Sequence, residues 1–145
     1  MNSNDSFQII EGLKLIVVVH KNIITINSIS QIIQEVLHNP YFKSDYSVII
    51  DIRNANIKMS SDEIEETSKF VFDQLHHIDL KKLAIIATMA QTKKAVEFVR
   101  FYRESSKYQV FTSMEAALHW LKIPIIRKSQ IALRLHWMAQ QKMTM

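Results

Sequence analysis

Cysteine is absent from the 145 residues, glycine occurs once and proline twice. Without thiols the chain can form no disulfide, no zinc–thiolate site and no thiol nucleophile, and the absence suits a reducing compartment. The lone glycine, Gly12, rules out a glycine-rich phosphate cradle, which needs several glycines so that backbone N–H groups can close on the phosphate. P-loop and dinucleotide-binding functions are therefore excluded by composition. No apolar run exceeds five residues (Leu15–Val19 is one), far short of the ~20 that a membrane-spanning helix requires. The opening MNSNDSF is polar and carries Asp5, where a signal peptide needs a basic start. A cytoplasmic protein is expected.

What is present is a large apolar fraction, 48%, in a chain of single-domain length. The net charge of +4 is unevenly placed. Residues 122–145 carry five bases and no acid, against thirteen bases and fourteen acids over residues 1–121. The basic character thus belongs to the tail, and the body has no charge bias toward nucleic acid.

The alternation of apolar runs predicts a β-β-α-β-α-β-α-β-α order followed by a tail. Residues 7–10 and 13–19 read as a hairpin turning at Gly12, and 22–26 as an extension or a short third strand. Ile29, Ile32, Ile33, Val36 and Leu37 recur at helical spacing, with Ser28 and Gln31 as a capping box and Pro40 as a stop. Residues 48–52, apolar on both faces, fit a central parallel strand. A helix opens at Ser60, boxed with Glu63, and residues 83–88 form another buried strand. A helix striped by Ala95, Phe98, Val99 and Tyr102 follows, then a short strand over 108–111. Thr112 and Glu115 suggest a third box, on a helix that Pro124 ends. The fold class is α/β: a mixed, mostly parallel sheet of about five strands, with right-handed crossovers. Residues 1–121 form the domain and 122–145 a basic amphipathic tail.

The hairpin start, the strand–loop–serine–helix unit over 46–75 and the closing VFTSMEAALHWL resemble STAS-like domains, the fold of bacterial anti-sigma-factor antagonists. They are also similar to uncharacterised bacterial proteins related to CRAL-TRIO-type lipid binders. The resemblance covers residues 7–121 and rests on element order. It implies a regulatory loop whose first serine is phosphorylated by a partner kinase and whose helix docks a partner. The matching stretch here is Met59, Ser60, Ser61, Asp62, where the antagonists carry Asp-Ser-Ser-Gly. A phosphate on Ser60 would meet Asp62 and Glu63, and the Ser60 hydroxyl is already the helix N-cap.

Two functions follow. The first is a non-catalytic regulatory interaction module that meets a protein partner through Asp51, Arg53, Asn54, Ser60, Ser61, Asp62, Glu63 and Glu66. The second is a carrier of a small apolar ligand or lipid, with a cavity lined by Phe70, Phe72, Phe98, Phe101 or Trp120 and the tail as lid or membrane contact. In the tail, Ile131, Leu135 and Met138 fall at helical spacing with Leu133 and Trp137 beside them. With Arg127, Lys128 and Arg134 they suit a partner groove, a second subunit in a homodimer, or an anionic membrane surface. No enzyme, cofactor or metal site is expected. Asp51 has no second catalytic group near it in sequence, and no G-x-S-x-G or HExxH motif occurs. The adjacent His76 and His77 would point about 100° apart on a helix.

Overall fold

Ser6–Ile10 (β1) pairs antiparallel with Leu15–Val19 (β2), and three further strands extend the sheet in parallel: Ser47–Asp51 (β4), Leu83–Ile86 (β6) and Tyr108–Phe111 (β7). A separate two-stranded ribbon joins Ile23–Ile24 (β3) to Asn56–Ile57 (β5). The computed structural model describes residues 5–75, 78, 80–100 and 105–140. His76, His77, Phe101 and Tyr102, to which expectations attach, lie outside them, as does Lys142, one of the five bases of the tail.

The sheet order β1-β2-β4-β6-β7 follows the chain. The crossover helices Ile26–Leu37 (α1), Ser61–Gln74 (α2) and Thr92–Arg100 (α3) all lie on one face, as repeated right-handed connections in one direction demand. The helices Met114–Trp120 (α4) and Ile125–Gln140 (α5) cover the other face. Side chains alternate along each strand. Ile16, Val18, Val48, Leu83 and Ile85 therefore pack toward α1–α3, while Leu15, Val17, Val19, Ile49, Ala84 and Ile86 pack toward α4 and α5. All of β2 and β6 is buried. The expected five-stranded, mostly parallel sheet with an opening hairpin is present, and β4 is its middle strand.

Several boundaries differ from expectation. The hairpin turn is a 3-10 turn over Glu11–Leu13, and Lys14, not Gly12, takes the left-handed conformation (φ 51°). The N-cap of α1 is Thr25, boxed with Ser28, so the helix begins three residues before the Ser28–Gln31 frame. Likewise Ser113 rather than Thr112 caps α4 through the Ala116 N–H. Helix α4 ends without Pro124. Lys122 turns left-handed (φ 61°) and the Ile123 N–H reaches back to the Leu118 carbonyl, the bond pattern of a glycine-type helix stop built here on lysine. Pro124 instead opens α5, its carbonyl accepting from the Arg127 N–H.

The tail is a helix docked on the domain. Ile131, Leu135 and Met138 of α5 are fully buried against β2 and α4. Leu135 and Met138 thus belong to the core rather than to an exposed interface. Among the described residues no helix is long and apolar enough to cross a membrane.

Candidate functional site

The carboxyl ends of β2, β4 and β6 share one edge, and the start of antiparallel β1 lies there too. Strand order runs without reversal through this sheet, so it lacks the switch point at which open α/β sheets form their ligand crevice. Polar residues collect at the edge nonetheless, and several of them have partners that limit what they can do.

Asp51 ends β4 with its side chain 2% exposed. Arg53 folds back over it, Nε donating to Oδ1 at 3.0 Å and Nη2 to Oδ2 at 2.8 Å, while the Arg53 N–H donates to Oδ1 at 3.1 Å. This fork is the strong geometry for a guanidinium–carboxylate pair. The hydrogen bond to Asp51 raises the Arg53 pKa above its ordinary value, against partial burial. The carboxylate is neutralised and its lone pairs are engaged, so Asp51 fixes the turn. Asn54 alone of the three expected loop residues is exposed.

Sequence reasoning missed the groups that hold this loop from outside. Gln91 Nε2 donates to the Ile52 and Ala55 carbonyls at 2.8 and 2.9 Å. Lys94 Nζ donates to the Ile57 carbonyl at 3.0 Å. Gln91 is itself fixed by a reciprocal cap with Thr88. A Thr-x-x-Gln spacing after a buried strand was the available signal.

At the head of α2 the expected box is complete. The Glu63 N–H donates to Ser60 Oγ at 3.2 Å, and the Ser60 N–H donates to Glu63 Oε1 at 2.9 Å. Ser61 Oγ donates to Glu97 of α3 at 3.2–3.3 Å. Asp62 and Glu66 are exposed on the same helix. Ser60→Ala is expected to destabilise the fold by about 1 kcal/mol through the lost cap, read from urea melts. The bonds from Ser60 hold the Glu63 carboxyl below the usual carboxylate range. Its contribution is therefore present above the unfolded pKa and lost as pH falls through the lowered folded value. Glu63→Gln keeps an acceptor without the charge, and should flatten that acid limb of the stability profile.

An apolar cavity of about 140 Å³ lies between the sheet and α1, α2 and α3. Phe72 and Phe98 line it, as expected; Phe70 packs nearby without lining it. Trp120 lies on the opposite face, tilted against Phe111 (5.5 Å between centroids, 49° between planes) with Lys82 Nζ 4.6 Å from its ring. No described residue of the tail lines the cavity, because α5 sits across the sheet from it.

Among the described residues, only His20 and Lys94 of the lining carry a side-chain nitrogen or oxygen. His20 directly follows β2 and is buried. Its Nδ1 donates to Asp5 Oδ2 at 2.8 Å, and Asp5 Oδ1 accepts the Lys21 N–H at 3.0 Å. The pairing Ser6↔Val19 places Asp5 beside His20 in the next antiparallel step. The signal in the sequence was the same one that marked Asp51, a polar residue closing an apolar run, but its partner lay in the polar opening segment. Among the described residues no three His, Cys, Asp or Glu side chains gather as a metal-ligand set. No protein-family model matches the chain, and neither a curated protein nor a solved structure matches it.

Proposed function

We propose that this is a non-catalytic cytoplasmic binding domain, STAS-like in its element order, that takes a compact apolar molecule or a single apolar tail into the cavity beneath α1–α3. The cavity carries the reading. Protein interiors are packed with few voids larger than a water molecule. An unfilled volume of this size costs about 3 kcal/mol, taking roughly 24 cal/mol per Å³ of cavity. A ligand that fills it recovers that loss. The volume also limits the ligand. Drug-sized pockets run to about 300–1,000 Å³, whereas a dry apolar cavity of about 150 Å³ accepts a benzene-sized guest. One ring or a short hydrocarbon segment fits; a whole multi-chain lipid does not. The lining is almost wholly apolar, with His20 and Lys94 turned to Asp5 and the Ile57 carbonyl, so the ligand is held by apolar contact.

Native mass spectrometry of protein purified from cells tests this. The expected result is a mass above the 17.0 kDa chain that organic extraction removes. Ala95, buried in the cavity wall, is the position to fill. Ala95→Leu is expected to abolish the added mass and to remove the thermal shift given by benzene or a short-chain alcohol. A bare chain mass, together with no shift by such probes in the unsubstituted protein, would refute the reading.

A regulatory-module role keeps one specific support, the exposed Ser61–Asp62 turn with Glu66 one turn on and Asn54 at the adjoining edge. Under that role the reversals Asp62→Lys and Glu66→Lys change partner capture while leaving cavity binding intact. Asp51 and Arg53 contribute there by shaping the loop.

A further inference from the structure

Helix α5 is apolar on two sides. Ile131, Leu135 and Met138 face the sheet. Ile126, Leu133 and Trp137 are exposed, at 81%, 69% and 56%. Their spacings of seven and four residues place the second set along one line, and Ile126 lies about 140° around the helix from Ile131 at 3.6 residues per turn. The outer stripe therefore runs opposite the docked one and extends about 16 Å at 1.5 Å per residue. Scattered exposed apolar residues are ordinary, but three in register on a helix whose inner face is already buried are not.

The charges that α5 and the turn before it carry are all of one sign. Residues 122–140 carry Lys122, Arg127, Lys128 and Arg134 and no acid. Arg127 Nε donates to Gln130 Oε1, and Arg134 Nη1 to Gln8 Oε1, each at 2.6 Å. Both guanidinium groups are thus positioned by neutral amides, and among the described residues no carboxylate forms a salt bridge with any of the four cations. The stripe is too narrow for a stable protein interface. Three side chains present a few hundred Å², against about 800 Å² per partner in a standard complex. Pairing α5 with α5 of a second copy would also set these unneutralised cations against themselves. A lipid surface has neither obstacle. It accepts a narrow apolar strip at the depth of the headgroup boundary, favours Trp there, and supplies the missing negative charge.

We infer that the outer face of α5 docks the domain reversibly on anionic membranes, Ile126, Leu133 and Trp137 entering the acyl boundary and the flanking Arg127 and Arg134 meeting lipid phosphates and carboxylates. The cavity reading plays no part in this.

Sedimentation of the full chain with phosphatidylcholine vesicles, with and without phosphatidylserine, tests the inference. Binding is expected to require phosphatidylserine, to weaken with added salt, and to blue-shift Trp137 emission. Leu133→Asp with Trp137→Asp should weaken it by about tenfold or more, since a charge replaces each buried apolar group. Urea melts of that variant should match the parent, both positions being exposed. Arg127→Gln with Arg134→Gln should remove the preference for phosphatidylserine. Absence of vesicle binding by the unsubstituted protein, or binding indifferent to the Leu133 and Trp137 substitutions, would overturn the inference. So would a dimer in sedimentation equilibrium that Leu133→Asp dissolves, because a second copy would then occupy this face.

Discussion

Replacing Arg53 by alanine is expected to destabilise the fold by about 3 kcal/mol, the low end of the range for stripping one partner from a buried ion pair. The low end applies because the Arg53 side chain is 34% exposed, so water already screens part of the pair. The loss comes from Asp51. Its carboxylate, 2% exposed, would keep only the Arg53 backbone N–H and lose both guanidinium bonds. A charge left in that position must either draw in water or take up a proton, and both disturb the central strand. The double substitution Asp51→Asn with Arg53→Ala is expected to be less damaging than Arg53→Ala alone, since it removes the charge that was stranded. Urea melts of the two singles and the double close the cycle. Independent, additive losses would mean that the fork contributes nothing as a unit and that Asp51 is free for another task.

That fork shows how far a sequence can be read at such a position. An apolar run ending in Asp identified the central strand and its polar edge, because a strand buried on both faces must be apolar throughout. Residues 48–50 satisfy that, as do the longer apolar runs of β2 and β6. The Ser60–Glu63 box was legible for a similar reason, since both partners lie within one turn. Where two frames competed, spacing could not choose. Thr25-x-x-Ser28 and Ser28-x-x-Gln31 both offer caps, and the chain uses the first because β3 delivers an extended residue at Thr25. The two-residue ribbon β3–β5 carries too few residues to show a period. Gly12 attracted the turn on conformational grounds, yet a 3-10 turn needs no left-handed residue until it is left, and that residue is Lys14. The polar contacts made across the fold were least legible of all. Asp5 and His20 are fifteen residues apart, and Gln91 lies 39 and 36 residues from the carbonyls it holds. Such contacts depend on register, which exists only once the sheet has formed.

The second large effect is expected at Leu135. Leu135→Ala should destabilise the protein by about 3–5 kcal/mol, because the side chain is fully buried between α5 and the sheet and its removal leaves a cavity as well as lost apolar burial. Two residues earlier, Leu133→Ala should change stability by less than about 0.5 kcal/mol, as for an exposed site away from any specific contact. The pair separates two accounts of the tail that composition alone left open. A tail that docks only on a membrane or a partner would be indifferent at both positions in the isolated protein. A tail that is simply one more core helix would make Leu135 costly and leave Leu133 without a use. With one face holding the fold and the other available to a lipid surface, the two substitutions should divide cleanly: Leu135→Ala lowers the urea midpoint, and Leu133→Ala spares it while weakening vesicle binding. Equal and small stability losses at both positions would place α5 off the sheet, and the surface argument built on its docked geometry would go with it.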